Sequence, residues 1–173
     1  AQVLEVKNPD TGKLYKLSDL NVFKYADLGT GMLQDGVIVR GDWIKDAKNQ
    51  ATAVKFLEAS FKGWIYCRDH LAECTNIVLK NGPALPKGHQ RWQMNEVNAL
   101  IWPNKLGVGV MNPVDYAKTA KISLTYKVIK KPASRASYRT DIARKAIANL
   151  RKQGVDVKDA LAAQVPFPKR LGQ

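Results

Sequence analysis

The chain has few of the residues that build metal centres and covalent catalysts. Its 173 residues include 2 cysteines and 2 histidines. There is no CxxC pair and no Cys/His cluster, which argues against a zinc site. His70 and His89 lie outside an HExxH motif and outside any serine or cysteine nucleophile motif. The sequence therefore predicts no catalytic residue, no metal and no cofactor.

Long apolar runs are also missing. No run approaches the roughly 20 residues that a membrane helix needs, and no basic-then-apolar leader opens the chain. The hydrophobic fraction of 45% and the charged fraction of 25% are typical of a globular chain. A chain of this length is expected to bury a core without metal or disulfide cross-links.

Acidic residues are scarce in the last third of the chain. Residues 113–173 hold 14 Lys and Arg against 4 Asp and no Glu, a net charge of +10, whereas residues 1–112 carry a net of +3. This asymmetry indicates either a nucleic-acid or acidic partner or a solvated basic face of an exported protein. We favour the solvated face and expect no nucleic-acid partner, because no nucleic-acid-binding motif accompanies the charge. A salt titration of DNA binding separates the two interpretations.

The two cysteines, Cys67 and Cys74, lie seven residues apart with His70 between them. Cys67 ends one helical pattern and Cys74 lies on the apolar side of the next, which favours a structural role over a catalytic thiol. Two packed thiols and one disulfide across the helix corner both remain open.

Apolar residues recur at helical spacing in five places, which predicts five helices. The first pattern includes Val54, Leu57, Phe61, Trp64 and Ile65. Asp42 is the expected N-cap of a helix that enters at Trp43. The other helices are marked by apolar residues near 71–78, 94–101, 117–128 and 142–150. Trp64 is expected in the core, and Trp92 and Trp102 as packing anchors. Arg144, Lys145, Arg151 and Lys152 form a basic stripe on the fifth helix.

Two short segments look like strands. VFKY (22–25) is a candidate, and GVIVR (36–40) has the β-branched residues of a buried strand. Two strands do not balance five helices, because a buried parallel strand needs neighbours on both sides. We therefore expect the chain to be part of a larger protein.

The run from Thr52 to Pro113 contains TAVKFLEASFKGWIYCRDHLAECTNIVLKNG, HQRWQMNEVNALIWP and GVGVMNP. In order and identity these residues resemble the closing helical part of ABC-transporter solute-binding proteins. The similar group is the thiamine-pyrimidine-synthase-like one, which includes nitrate, sulfonate, taurine and thiamine-precursor binders.

The resemblance implies an α/β fold, the C-terminal part of a two-lobe periplasmic-binding-protein (type II) fold that is mostly helical with a few strands. Residues 1–26 would end the second lobe, 27–35 would form the hinge crossing, 36–160 would belong to the first lobe, and 161–173 would be a loose tail. The implied function is that of an exported or periplasmic binder for an ABC permease. The N-terminal part of the same protein would complete it.

The glycine-rich segment from Asp27 to Gly36 is the expected site of ligand contact. Its backbone N–H groups can cradle an anion, or its glycines can merely supply hinge angles. The spacing matches neither GxGxxG nor a P-loop, so a nucleotide is not indicated.

Together with the resemblance, this segment predicts the ligand-binding residues Tyr25, Asp27, Gly29, Thr30 and Asp35. Tyr25 is suited to stack on a planar ring, and Asp27 to accept hydrogen bonds from an amine or amidine. A thiamine-pyrimidine precursor fits these groups better than nitrate or a sulfonate, which need Arg or clustered N–H donors.

A related enzyme, the fungal pyrimidine synthase of thiamine biosynthesis, supplies an alternative function. Its cysteine-rich iron-binding run is absent here, since Cys67 and Cys74 are the only cysteines. Its lysine- and histidine-bearing N-terminal half is absent as well. Both departures favour a binder over an enzyme.

Overall fold

A computed structural model of the chain describes residues 2–157, and their regular structure is helical. The five α-helices are α1 (Ala47–Asp69), α2 (Leu71–Asn81), α3 (Lys87–Ile101), α4 (Pro113–Thr125) and α5 (Asp141–Lys152). Short 3₁₀ helices cover Gln2–Glu5, Leu17–Asp19, Trp43–Lys45 and Arg135–Ser137. The five predicted helices are thus confirmed. Among the described residues, the only β pairing is one antiparallel bridge between Lys7 and Leu14.

The α/β prediction is wrong, because GVIVR forms no strand. Val37 is 63% exposed and Ile38 is 92% exposed, and the VFKY segment is likewise irregular. β-Branched residues favour a pleated, half-buried surface, and the described residues contain no neighbouring strand to create one. The hinge crossing at 27–35 was placed between these two predicted strands, and neither strand forms. The predicted boundary at 160 lies outside the described residues. The predicted tail, 161–173, lies outside the described residues.

The helix ends follow local chemistry, with one correction. Asp42 lies at the predicted N-cap position, directly before the 3₁₀ helix Trp43–Lys45, but its side chain pairs with Arg40 and makes no cap hydrogen bond. The Asp46 carboxylate accepts the N–H of Lys48 at 2.7 Å and that of Asn49 at 3.2 Å, which satisfies donors in the first turn of α1.

The α4 helix begins at a more familiar cap. The side chain of Asn112 accepts the N–H of Val114 at 2.9 Å, and Pro113 occupies the first helical position. Proline is favoured there because its missing N–H would have no helical partner and its φ already suits a helix.

The described residues form two compact units, with α1 contributing to both. Residues 2–22 and 64–103 form one unit, and residues 23–63 and 104–157 form the other. In the first unit the buried apolar residues include Ile65, Cys74 and Trp102. Asn95 and Asn98 of α3 are buried there too.

The second unit builds its core from α1, α5 and the GVGV segment at 107–110. Its buried residues include Val54, Phe61, Val108, Val110, Ile142, Ala146 and Leu150. Asn149 of α5 donates a hydrogen bond to the carboxylate of Glu58 on α1. The two helices and the valine segment are therefore held together by both apolar and polar contacts.

Helix length and polarity bear on membrane insertion. Of the helices described, none combines the length and the apolar character needed to cross a bilayer.

Candidate functional site

Four of the five predicted ligand residues lie in one hydrogen-bonded turn, residues 24–30, which we call the ligand turn. The N–H of Asp27 donates to the carbonyl of Lys24 at 3.0 Å, and the N–H of Leu28 donates to the same carbonyl at 3.2 Å. The N–H of Gly29 donates to the carbonyl of Ala26 at 3.2 Å. One short helical turn thus precedes the glycine.

Thr30 closes the ligand turn. Its N–H donates to the carbonyl of Tyr25 at 2.9 Å, and its hydroxyl donates to the same oxygen at 3.2 Å. This 6→1 bond, with the 5→2 bond of Gly29 to Ala26, is the pattern of a Schellman motif. Gly29 has φ +75°, the left-handed conformation that the motif requires and that glycine adopts without steric cost.

The hydrogen bonds of the ligand turn decide which chemistry it can present. The N–H groups of Asp27, Leu28, Gly29 and Thr30 all donate within the turn. None of these four is left to cradle an anion, so the anion-binding alternative for this part of the glycine segment loses its donors. Apart from the exposed Lys24 ammonium, the groups that remain available are an aromatic ring and a carboxylate.

Those two groups belong to Tyr25 and Asp27. The Tyr25 side chain is 74% exposed. Asp27 is exposed as well, and neither side chain has a hydrogen bond or ion pair with another described residue. An exposed ring beside an unpaired carboxylate on a fixed turn can stack on a planar group and accept from its N–H donors.

Asp35 is not brought into this turn by any hydrogen bond or ion pair within the described residues. It has φ +54°, an uncommon conformation for a residue with a side chain. Between the ligand turn and Asp35, the N–H of Leu33 donates to the hydroxyl of Thr119 on α4 at 2.9 Å. The segment is therefore tied to α4 between the turn and Asp35.

Cys67 and Cys74 form a disulfide with a Cα–Cα distance of 5.4 Å, so of the two alternatives the structure has the bridge. It spans the corner where α1 ends and α2 begins. The side-chain amide of Asn98 on α3 donates to the carbonyl of Cys67 at 3.0 Å. The corner is thus fixed covalently and also bonded to a third helix.

A buried cation adjoins the disulfide. Arg68 is 5% exposed, pairs with Asp69 at 2.7 Å and lies 5.2 Å from the centre of the Trp102 ring. The hydrogen bond from Arg68 lowers the pKa of Asp69. The stabilisation from this shift is present at neutral pH and is lost as the pH falls through the folded-state pKa of Asp69.

We expect removal of the disulfide to destabilise the protein by about 2–3 kcal/mol, because closing a short loop restricts the unfolded chain. Replacing Cys67 and Cys74 together by alanine tests this in urea unfolding under oxidising conditions. Reductant should lower the stability of the natural protein to that of the double variant and leave the variant unchanged. A natural protein that is insensitive to reductant would contradict the role of the bridge.

Both histidines make ordinary contacts. The His70 ring stacks on Tyr66 with 4.3 Å between ring centres, and Nδ1 of His89 lies 3.3 Å from the Glu5 carboxylate. No group of three or more His, Cys, Asp or Glu residues in the described part of the chain has the geometry of a metal site.

A groove lies beside α4 that the sequence did not predict. It lies between α4 and residues 132–138, has a volume of about 450 Å³, and contains Tyr116 and Tyr138 with ring centres 4.5 Å apart. The two tyrosines are 22 residues apart in the chain and the loop between them has no period.

The chain turns after α4, where the N–H groups of Val128 and Ile129 donate to the carbonyl of Ser123. Lys127 has φ +60° in the same turn. Pro132, a few residues later, was the only glycine or proline in this stretch.

Comparison of the chain with protein-family models, with curated proteins and with solved structures found no match.

Proposed function

We propose that the protein is the solute-binding component of an ABC importer, and that the ligand turn forms part of its binding site. The observation that carries this proposal is the bonding of the turn. The N–H groups from Asp27 to Thr30 are used internally, while the side chains of Tyr25 and Asp27 are exposed and have no partner among the described residues. Such a turn fixes the backbone that carries these side chains before a ligand arrives, which lowers the entropic cost of binding. The described residues lack the strands of the expected α/β fold, but binding by this turn does not depend on those strands.

The disulfide supports the expected exported location. Cys67 and Cys74 are joined, and disulfides persist mainly in oxidising compartments such as the periplasm. The partners under this proposal are a small solute, the membrane permease that receives it, and the N-terminal part of the same protein.

The proposed solute is a planar ring with an amine or amidine edge, as in a thiamine-pyrimidine precursor. Tyr25 would stack on the ring and the Asp27 carboxylate would accept from the amine. Nitrate and sulfonates suit the turn less well because they need clustered donors, and the four N–H groups from Asp27 to Thr30 are already engaged.

Calorimetry on the full-length protein tests the proposal with an aminopyrimidine and with taurine. We expect the aminopyrimidine to bind and taurine to give no signal. Tyr25→Ala should weaken binding about 5- to 150-fold, the range expected for losing one ring–aromatic stack of 1–3 kcal/mol. Asp27→Asn should weaken it by about tenfold or more, because it removes a hydrogen bond to a charged acceptor.

Two matched variants serve as controls. Tyr126 is 70% exposed, close to the exposure of Tyr25, so Tyr126→Ala removes a similar ring elsewhere. Asp10→Asn removes an exposed carboxylate outside the ligand turn. Tight taurine binding without a pyrimidine signal would refute the solute, and unchanged binding by Tyr25→Ala and Asp27→Asn would refute the site.

A further inference from the structure

The α4 groove, defined above as the space between α4 and residues 132–138, is a concave surface whose lining includes no residue of the ligand turn. None of the α4 residues is fully buried, although the helix carries an apolar stripe that includes Ala117, Ala120 and Leu124. These three side chains line the groove instead of packing in a core. Small side chains at 117 and 120 leave the concavity open.

The loop wall of the groove is held in place by its own hydrogen bonds. The hydroxyl of Tyr116 donates to the carbonyl of Ser134 at 3.3 Å, which joins α4 to the loop. The hydroxyl oxygen of Ser134 accepts the N–H of Ala136 at 3.1 Å and caps the short 3₁₀ helix that follows. These bonds fix the position of the loop wall relative to α4.

The charge of the groove has one sign. Two of its lining residues, Lys121 and Arg135, are cationic, and none is acidic. Neither cation pairs with a carboxylate among the described residues. The carboxylate of Asp141 is already paired with Arg139, and Asp115 on the first turn of α4 does not line the groove.

Aromatic rings complete the lining. The Tyr116 and Tyr138 rings are tilted by 49° at 4.5 Å between centres, so they meet at an angle at one end of the groove. A planar apolar body suits the alanine, leucine and tyrosine surface, while an oxyanion suits the free guanidinium and ammonium groups. The volume of about 450 Å³ is within the range of small-molecule sites.

From this combination we propose that the α4 groove binds a small aromatic carboxylate, with the ring against Tyr116 and Tyr138 and the carboxylate on Arg135 and Lys121. Arg135 offers a planar fork that matches a carboxylate in bidentate geometry. The site is independent of the ligand turn, so its test is independent of the solute-binding proposal.

The test measures binding of 2-naphthoate to the full chain by calorimetry, with 2-naphthamide as a neutral probe of the same shape. We expect 2-naphthoate to bind at least tenfold more tightly than the amide. The double variant Lys121→Gln, Arg135→Gln should lose at least tenfold in 2-naphthoate affinity. Ala120→Leu, which fills the floor of the groove, should weaken both probes.

The control variant Arg144→Gln, Lys145→Gln removes the same charge from the exposed face of α5 and should bind 2-naphthoate as the natural chain does. Tyr25→Ala should also leave this binding unchanged. Equal affinity for the acid and the amide, an equal loss in the α5 variant, full binding by Ala120→Leu, or no 2-naphthoate binding at millimolar concentration would each overturn the proposal.

Discussion

Replacing Gly109 by alanine should lower the free energy of unfolding by about 2–4 kcal/mol, because it combines backbone strain with overpacking. Gly109 has φ +70°, and a Cβ built there would lie 2.4 Å from two atoms of the Phe61 ring. Phe61 is buried in the core of the second unit and has little freedom to move aside. Denaturant unfolding followed by circular dichroism measures the loss.

Gly154→Ala separates the two causes. Gly154 also has a positive φ, +77°, but a Cβ there meets nothing within 4 Å. We expect this variant to lose only the strain component, about 1 kcal/mol. Equal losses in the two variants would show that Phe61 yields and that the contact at Gly109 is unimportant.

Trp102→Ala should cost about 3–5 kcal/mol, the range for removing a large aromatic side chain from a core. Trp102 is 1% exposed and lies beneath the buried Arg68 guanidinium. Its removal leaves a cavity and also takes away the ring face that Arg68 covers. The indole N–H has no hydrogen-bond partner among the described residues, so we count no lost hydrogen bond in this range.

Trp64→Ala is the matched control, because Trp64 belongs to the same unit but is 38% exposed. We expect it to lose less than half as much stability as Trp102→Ala in urea unfolding. The remaining tryptophans report the transition by fluorescence. A loss from Trp64→Ala as large as that from Trp102→Ala would place the packing centre of this unit on α1.

The helices could be predicted because their apolar spacing is a local property. Trp64 shows the limit of predicting burial from apolar spacing alone. Val54, Phe61 and Ile65 share one face of α1, whereas Trp64 is rotated from that face by about 80° at 3.6 residues per turn. The residue is apolar and near the stripe, but its angle leaves it partly in solvent.

The strand prediction failed for a different reason. GVIVR has strong β propensity, but that propensity reflects packing against neighbouring strands, which a sequence window does not contain. Ile38 is 92% exposed in their absence. The α4 groove was missed because Tyr116 and Tyr138 meet only after the intervening loop returns the chain.

The ligand turn was located correctly as a glycine turn, but its internal bonding could not be foreseen. DLGTG is compatible both with free N–H groups and with the closed motif that the structure has. The choice depends on the left-handed conformation at Gly29 and on the carbonyl of Tyr25. Neither the backbone conformation of Gly29 nor the position of the Tyr25 carbonyl can be read from residue types.

The internal hydrogen bonds of the ligand turn determine whether oxyanions can compete with a solute for it. Sulfate, phosphate and nitrate are oxyanions that free backbone donors can bind. The N–H groups from Asp27 to Thr30 are already occupied within the turn. If the turn binds an amine-bearing solute as proposed, these anions would therefore not compete with it for the four N–H groups.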